Sequence, residues 1–458
     1  MLLYESHDYK GVTAMKRSKK TILSACTIAA LLLASACGSQ SSAPDGAAKA
    51  KDDAKTAAPA KPIDLVFYQP SADWDEARFM KELGEPIKAK YPHITPKFVK
   101  YNGKADQVTE LVTTGTQVDI MFMSIGQVYN FLLKSKMERD ITPLIQKNGF
   151  DLNRFETTSV DMLKQIGNGK IYGVPMYTLP STIYYNKDLF DKFGVPYPKD
   201  GMNWDDTYEL SRKLTRQDGG VQYYGTVMSP SHLAMRNQLS LNLIDPKSGK
   251  ATLNNDSWNR FLSNVSRFYT LPGYEWTNAD MQVAKQRDMF TKEKRAAMWM
   301  PVSTMHTEAE LQGMNWDLAS FPTLNEAPGI GPQAYPFYFF VTATSKVPDE
   351  AFEVLSYLST EPFHLEKSKQ GLFLSLLKSD AVRKAFGQES AMYKGKNTKA
   401  MLPDKFAAPS FVSTYTSTSA AKIFTALVNV TTGKQDANTT LREAEESMNK
   451  TIEADMAK

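Results

Sequence analysis

The chain has 458 residues, of which 42% are hydrophobic and 23% are charged, and its formal net charge is +4. This length and composition are typical of a globular protein with room for two lobes. The first 36 residues hold five basic and two acidic side chains, so the remainder carries a net charge of only +1. That balance excludes the strongly basic character of nucleic-acid-binding proteins.

The chain begins with the features of a secretory leader. Met15 precedes a basic run over residues 16–20, an apolar stretch from Thr21 to Ala34, and then small residues and Cys37. We predict a signal peptide over residues 1–36, with translation starting at Met1 or at Met15. The segment from Leu33 to Cys37 resembles a bacterial lipobox, although Ala34 stands where a large aliphatic residue is usual. It predicts lipidation of Cys37 and anchoring on the extracytoplasmic side of the cell membrane; plain secretion or an uncleaved anchor are the alternatives.

Residues 37–61 are rich in Ala, Lys, Asp and Pro and poor in apolar side chains, which predicts a disordered tether. Cys26 and Cys37 are the only cysteines of the chain. The body that follows the tether therefore has no disulfide and no thiolate metal site. It also has no apolar run of about 18 residues, the length that predicts a membrane-spanning helix.

Strand and helix patterns alternate at the beginning of the body. Apolar runs at 63–68, 94–99 and 118–123 predict strands, and amphipathic segments between them predict helices. This βαβαβ order indicates an α/β protein with parallel strands. In such sheets ligands lie beyond the carboxyl ends of the strands, which makes Gln69 and Ser124 candidate ligand contacts.

Short polar motifs predict several turns and helix ends. Asp73 is predicted to cap a helix, and the acidic pair after Trp204 to open another. Asn168-Gly169 predicts a hairpin turn, because both residues tolerate a positive φ. Near the end of the chain, Thr440 and Glu443 predict a capping box.

A longer succession of motifs carries a family resemblance. It comprises Gly169–Tyr177, Tyr184–Phe190 and Trp204–Asp206, then Lys294–Met298 before Pro301, and the aromatic run from Tyr335 to Val341. This order and spacing resemble those of family 1 extracellular solute-binding proteins, over residues 63–452. The resemblance implies an α/β fold of the periplasmic-binding-protein type II, a two-lobed clamp. Each lobe is then expected to be a mostly parallel sheet flanked by helices.

The resemblance also implies a division of the chain. We expect lobe 1 to comprise residues 62–173 and 344–400, and lobe 2 to comprise residues 174–343 and 401–458. A hinge of about three crossings joins the lobes in this family. Their expected positions are near 172–175, 339–344 and 399–404.

In function, the resemblance implies the substrate-binding component of an ABC importer. Such a protein captures a sugar or oligosaccharide between its lobes and delivers it to the permease subunits in the membrane. We expect it to act as a monomer without metal or cofactor, and without nucleic acid as a partner.

No catalytic motif in the sequence is as specific as this family resemblance. The five histidines lack the paired spacing of a zinc hydrolase, and no phosphate-binding glycine loop or serine nucleophile elbow occurs. A secreted carbohydrate-active hydrolase and a surface adhesion module stay open as alternatives. A binding protein leaves its sugar unchanged, whereas a hydrolase turns over a glycoside and an adhesin prefers a polymer or a surface.

Sugar rings present C–H faces that stack on aromatic side chains. The aromatic residues that are candidates for contact with the ligand are Trp74, Tyr177, Trp299, Tyr335, Phe337 and Phe411, and a position in the core is the alternative for each. The polar contacts that we predict are Gln69, Ser124 and His232. We expect Trp74 on one lobe to oppose Tyr177 and Trp299 on the other, so that the rings enclose the sugar.

Overall fold

A computed structural model describes residues 61–104, 106–302 and 305–457. The predicted leader, Cys37 and the predicted tether up to Ala60 lie outside the described residues. Thirteen strands occur in the described part: β1 (Ile63–Tyr68), β2 (Ile94–Val99), β3 (Ile120–Ser124), β4 (Gly173–Thr178), β5 (Thr182–Asn186), β6 (Arg216–Asp218), β7 (Val221–Met228), β8 (Ala296–Met300), β9 (Trp316–Ser320), β10 (Ile330–Gly331), β11 (Pro336–Val341), β12 (Leu374–Ser375) and β13 (Lys405–Phe406).

Sixteen α-helices occur in the same residues: α1 (Glu76–Phe79), α2 (Glu85–Lys90), α3 (Gln107–Thr113), α4 (Ile125–Gln127), α5 (Thr142–Lys147), α6 (Thr157–Ile166), α7 (Lys187–Phe193), α8 (Trp204–Leu214), α9 (Pro230–Met235), α10 (Asp256–Ser266), α11 (Val283–Thr291), α12 (Pro348–Leu358), α13 (Glu361–Lys369), α14 (Asp380–Lys384), α15 (Thr416–Thr431) and α16 (Ala437–Met456). The π-helical turns Met80–Gly84 and Val128–Leu133 extend α1 and α4. Single 3-10 turns lie at Leu152–Arg154, Ala391–Tyr393 and Thr398–Met401. None of the described helices is both long and apolar enough to cross a bilayer.

The first sheet has six strands in the order β12-β4-β11-β3-β1-β2. The neighbouring strands β2, β1 and β3 are parallel, with Phe67 opposite both Phe98 and Ile120. Strand β11 is antiparallel to β3 and to β4, and β12 is antiparallel to β4. Four of the six strands therefore run in one direction, in agreement with the expected mostly parallel sheet. Strand β11 runs against them, because it enters the sheet at the edge where β3 and β4 end.

The second sheet has five strands in the order β6-β7-β8-β5-β9. Strands β7 and β8 are parallel, while the β6–β7, β5–β8 and β5–β9 pairs are antiparallel. Three of its five strands, β7, β8 and β9, thus run in one direction, and β5 and β6 run in the other. It begins with β5, which receives the chain directly from the end of β4.

Each sheet has its own hydrophobic core. Alternate residues of the first sheet point to opposite faces, so that Phe122 and Phe339 pack on one side and Met123 and Tyr338 on the other. Helix α12 covers the first of these faces. The second sheet packs with α8, α10, α15 and α16 in a separate core centred on residues such as Trp258.

The sheets correct the predicted division of the chain. Residues 174–178 and 336–341 were expected in lobe 2, but both segments are strands of the first sheet. The crossings expected at 172–175 and 339–344 therefore overlap β4 and β11. The chain instead crosses at 179–181 and again between β10 and β11. Its third crossing lies between β12 and the turn Thr398–Met401, which packs beside β9.

Candidate functional site

The ends of several strands from both sheets meet near the crossings. Gln69 follows β1, and Ser124 ends β3 and caps α4 in a reciprocal arrangement with Gln127. The Gln127 amide also donates to the Pro70 carbonyl at 3.0 Å, which joins these two loops. Gln69 is 1% exposed, and its Oε1 atom has no hydrogen-bond partner among the described residues. Neither Gln69 nor Ser124 is among the residues that line the cavity described next, and their contact with a ligand stays a prediction.

A cavity that is open to solvent lies between the two halves at this edge. The first half contributes α4, the π-helical turn after it and Met162 of α6, and the second contributes the end of α9 and the beginning of α15. The lining residues are Ile125, Gly126, Tyr129, Asn130, Met162, Met235, Arg236, Gln333, Ala334, Tyr335, Val412, Ser413, Thr414, Thr416 and Ser417. Apolar, aromatic, hydroxyl and amide groups are all represented. We therefore take this cavity as the candidate ligand site.

Gly126 and Tyr335 show how closely the walls approach. A Cβ atom at Gly126 would lie 2.6 Å from the Tyr335 hydroxyl oxygen. The absence of a side chain at Gly126 thus makes room for the tip of the Tyr335 ring. On its other side, this ring meets the His232 ring edge-on at 6.1 Å between centroids.

Arg236 is the charged side chain of the cavity lining. It is 1% exposed, and its guanidinium lies 5.5 Å from the centre of the Tyr335 ring. Its Nε donates to the Gln333 carbonyl at 2.7 Å, and its two terminal nitrogens donate to the Ser181 hydroxyl at 2.6 Å and the Pro180 carbonyl at 3.4 Å. Burial lowers the pKa of Arg236 to about 9, so the group is charged at neutral pH.

Gln333, in the second crossing, connects the same region to the segment that follows β13. Its Oε1 atom accepts hydrogen bonds from the Ser410 amide at 2.8 Å and the Ser410 hydroxyl at 3.1 Å. Its Nε2 atom donates to the Asn237 carbonyl at 3.0 Å. Ser181, in the first crossing, donates its amide to the Met401 carbonyl at 2.8 Å. Arg236 and Gln333 therefore form a buried polar clasp that holds the first and second crossings to the second half, and the Ser181–Met401 bond joins the first crossing to the end of the third.

His232 lies beside this clasp. Its Nδ1 atom is 2.6 Å from the Ser229 hydroxyl. Burial, and secondarily the charge of Arg236, lower the pKa of His232 to about 4. The imidazole is neutral at pH 7, so it adds no second positive charge to the region.

The predicted aromatic contacts fall into two groups. Tyr335 lines the cavity, and Phe411 is half-buried against the second core, with its amide bonded to Asn242. Trp74 and Tyr177 are 3% and 5% exposed, and both belong to one core of the first sheet. Trp299 is fully buried in the core of the second sheet. The expected opposition of Trp74 and Tyr177 across the cleft is wrong, because β4 pairs within the first sheet and carries Tyr177 into the Trp74 core.

Several lining residues were not anticipated from sequence. Arg236 and Gln333 carry no local signal, because their positions depend on crossings that are distant in sequence. The hydroxyl-rich run at 413–419 is visible in the sequence, and it directly precedes and begins a helix. Hydroxyl residues at the start of a predicted helix are therefore the sequence signal that would have identified the wall formed by α15.

Comparison with known proteins identifies the class. The family of bacterial extracellular solute-binding proteins matches residues 72–362, which is more than half of the chain. The chain therefore belongs to this family. Among curated proteins it is similar to the arabinooligosaccharide-binding protein of Bacillus subtilis (strain 168), with 30% identity over 189 residues. That alignment covers 39% of this chain and 42% of the Bacillus protein, so the chain matches less than half of the relative's length.

Solved structures resemble the fold over a larger part of the chain. An ABC substrate-binding protein from Listeria monocytogenes, in complex with cycloalternan, has a TM-score of 0.66 at 19% identity and covers 86% of this chain and 99% of its own. A sugar transporter from Rhizobium etli in an open conformation has a TM-score of 0.64 at 19% identity, with 84% and 99% covered. These likenesses support the two-lobed binding-protein architecture that the two sheets and their crossings define.

Proposed function

We propose that this chain is the sugar-capturing component of an ABC importer, and that a sugar or oligosaccharide binds in the cavity between the two halves. The observation that carries the proposal is the lining of that cavity. It combines aromatic and apolar surfaces with hydroxyl and amide groups from both sheets, the chemistry that matches the C–H faces and hydroxyls of a sugar. The similarity to an arabinooligosaccharide-binding protein supports the same class of ligand.

The lining also favours binding over hydrolysis. A retaining or inverting glycosidase usually needs two carboxyl groups on either side of the scissile bond. Among the described residues that line the cavity there is no Asp or Glu. A hydrolase that used this cavity would lack its acid and its base or nucleophile.

In this proposal the hinge between the two halves allows the protein to capture its ligand. Three crossings join the halves, so a ligand that contacts both walls stabilises the closed arrangement relative to the open one. The closed, loaded protein then docks on the permease subunits in the membrane. In this proposal the protein acts as a monomer and is held at the outer membrane face through a lipid on Cys37.

Ligand-dependent thermal stabilisation against a panel of mono- and oligosaccharides tests this function. A sugar at one hundred times its Kd is expected to stabilise the fold by about 2.7 kcal/mol. Chromatography of the recovered sugar checks that it is unchanged, and small-angle scattering checks that the halves close. Turnover of a glycoside, or binding restricted to polymers, would contradict the proposal.

The lipid anchor has its own test. Because lipidation requires the thiol, Cys37→Ala is expected to move the protein from the membrane fraction to the soluble or secreted fraction. Cys26→Ala, in the apolar part of the leader, is the matched control and is expected to leave the distribution unchanged. Equal membrane retention of Cys37→Ala and the parent would rule out lipidation at this residue.

A further inference from the structure

A second cavity, of about 240 Å³, lies within the second half. Its lining comes from the beginning of α8, the end of α9 and the loop after it, one face of α10, and the segment between β9 and β11. Every lining residue falls between positions 204 and 332, so the first half contributes nothing to it. A cavity needs only about 10–15 Å³ to hold one water molecule, so this one has room for a molecule of the size of a sugar ring.

This second cavity adjoins the cavity between the halves. Arg236 is the one described residue that lines both cavities. Its side chain is 1% exposed and is held by its hydrogen bonds to Gln333, Ser181 and Pro180. This fixed side chain therefore lies between the two cavities, and we treat them as separate sites.

The apolar part of the second lining includes a partly exposed aromatic ring. Trp204 and Phe321 are buried and meet edge-on, with 5.6 Å between their ring centroids. Phe261 of α10 is only half-buried, and its ring centroid lies 5.3 Å from that of Trp258. The core thus covers only part of the Phe261 ring, and the rest is available to a ligand.

The polar part of the second lining has three side chains with few or no protein partners. Asn264 follows Phe261 by three residues on the same face of α10, and its amide group forms no hydrogen bond with a described residue. The Arg260 guanidinium has only a contact of 3.4 Å with the Ser257 hydroxyl. Glu326 is exposed, and its carboxylate takes part in no ion pair or hydrogen bond within the described part of the chain.

The charges of the second lining cancel, because it contains two acidic and two basic side chains. Asp205 is already bound by Arg267 at 2.6 Å and by Asn325 at 3.0 Å, which leaves Arg260 and Glu326 as groups of opposite sign for a ligand. A ligand with a net charge would meet a like charge as well as an opposite one. Hydroxyl groups both donate and accept hydrogen bonds, and a guanidinium, a carboxylate and an amide together serve both roles.

We propose that the second cavity is a carbohydrate site of its own, which binds one ring of a neutral sugar. The C–H face of that ring stacks on Phe261, and its hydroxyls bond with Asn264, Arg260 and Glu326. This site goes beyond the proposed function, because it lies in one half and needs no closure of the hinge. The protein then holds two sugar rings, of which only the one between the halves is coupled to closure.

Fluorine NMR of protein labelled with 5-fluorotryptophan gives a direct readout of this cavity. Trp204 is one of six tryptophans and lines the second cavity, whereas no tryptophan is among the described residues that line the cavity between the halves. Trp204→Phe assigns its resonance. Glucose, galactose and arabinose are titrated, with the uronic acids and amino sugars of the two hexoses as charged counterparts. We expect at least one neutral sugar to shift the Trp204 resonance in a saturable way, and its charged counterparts to bind no more tightly.

Two variants test the two parts of the site. Phe261→Ala and Glu326→Gln are each expected to raise the dissociation constant read from the Trp204 resonance by roughly threefold to tenfold, because stacking and charge-assisted hydrogen bonds contribute on this scale. Phe193→Ala, at another half-buried ring of the second half, and Glu308→Gln, at another exposed carboxylate, are the matched controls. Small-angle scattering is expected to show that both site variants still close at saturating sugar, as the parent does.

The outcomes separate the second site from the proposed function. A shift of the Trp204 resonance that both variants weaken, with closure unchanged, supports the second site. A shift that both variants leave unchanged would be a remote effect of closure and would overturn the inference, as would tighter binding of a charged counterpart. Closure without any shift of the Trp204 resonance would overturn the inference and leave the proposed function intact, whereas a lack of both responses with every sugar would overturn both.

Discussion

Tyr177 shows how strand pairing determines the role of a single aromatic side chain. Its ring stacks on Phe337 at 4.7 Å and on Phe373 at 4.5 Å between centroids. Tyr335 is only two residues from Phe337, yet it lines the cavity. Sequence alone makes both tyrosines candidate sugar platforms, because each adjoins the end of a strand. Which one faces a ligand depends on contacts between segments that are more than 150 residues apart.

Replacing Tyr177 therefore tests packing rather than binding. Tyr177→Ala is expected to lower the free energy of unfolding by about 3–5 kcal/mol, because it leaves a cavity between two stacked rings. Tyr177→Phe keeps the ring and serves as the control. Denaturant unfolding gives the stability, and titration of the folded fraction gives the affinity. A Tyr177→Ala protein of normal stability that no longer binds sugar would instead place this ring in the ligand site.

The buried His364 predicts a specific pH dependence. Its side chain is fully buried, its Nδ1 atom lies 2.7 Å from the Ser375 hydroxyl, and desolvation lowers its pKa to about 3. The unfolded chain binds a proton near pH 6.5, so the stability contributed by the neutral form is complete above that pH and is lost as the pH falls towards 3. Between pH 7 and pH 5 the loss is expected to be about 2 kcal/mol.

Unfolding measured across this range checks the expectation. His364→Asn is expected to be less stable at pH 7 but to show a flatter dependence on pH. His93→Asn, at a half-buried position beside β2, is the control and is expected to keep the slope of the parent. An unchanged slope in His364→Asn would mean that other groups dominate the acid response.

At the scale of elements, Gly225 permits the close contact between β7 and α8. A Cβ atom at this position would lie 2.1–2.6 Å from backbone atoms of Ser211. Backbone atoms cannot move aside as a flexible side chain does. The strand and the helix therefore approach through a glycine, and this contact joins the second sheet to its covering layer.

Gly225→Ala is expected to lower the free energy of unfolding by about 1–3 kcal/mol, the usual cost of overpacking. The thermal midpoint should fall, while the affinity of the folded protein for its ligand is kept. Val221→Ala, at an exposed position in the same strand, is the control. Equal midpoints for the two variants would show that α8 shifts at little cost.

Strands and helix starts could be predicted from the sequence where they depend on neighbouring residues. The strands expected at 63–68 and 94–99 have these limits in the structure, and an acidic pair follows Trp204 in the first turn of α8, although Asn203 is its cap. Three other local predictions are wrong, because neighbouring residues compete for the same role. Asp75 rather than Asp73 caps α1, Asp436 caps α16 and leaves Thr440 inside the helix, and Asn168-Gly169 ends α6 instead of forming a hairpin.

Strand direction is the property that local patterns did not reveal. An apolar run predicts a buried strand, but β3 and β11 have the same character and run in opposite directions. The two strands differ in direction because β3 receives the chain from within the first half, whereas β11 receives it from the second half. The family resemblance predicts two halves and three crossings. Only the folded structure shows that β4 and β11 belong to the first sheet.

For the whole molecule, the Gln333 side chain holds the second crossing to Asn237 and Ser410 of the second half. Gln333→Leu is expected to lower the free energy of unfolding by about 1–3 kcal/mol, because the Ser410 amide and the Asn237 carbonyl lose buried partners. It is also expected to broaden the size distribution of the unliganded protein in small-angle scattering. Gln388→Leu, at an exposed position after α14, is the control. Unchanged stability and scattering would indicate that Arg236 alone holds the crossings.

The attachment of the crossings to the second half has a practical consequence. If the clasp moves with that half, the two halves bend relative to each other where the crossings enter the first sheet. Closure then changes the surroundings of Asn130, which lies on the opposite wall of the cavity. Residues 62–458 contain no cysteine, so a thiol introduced by Asn130→Cys would be unique in a protein that lacks the leader and the tether with Cys37. An environment-sensitive dye on that thiol would convert ligand capture into a change in fluorescence, and the protein would become a reagentless optical sensor for its own solute.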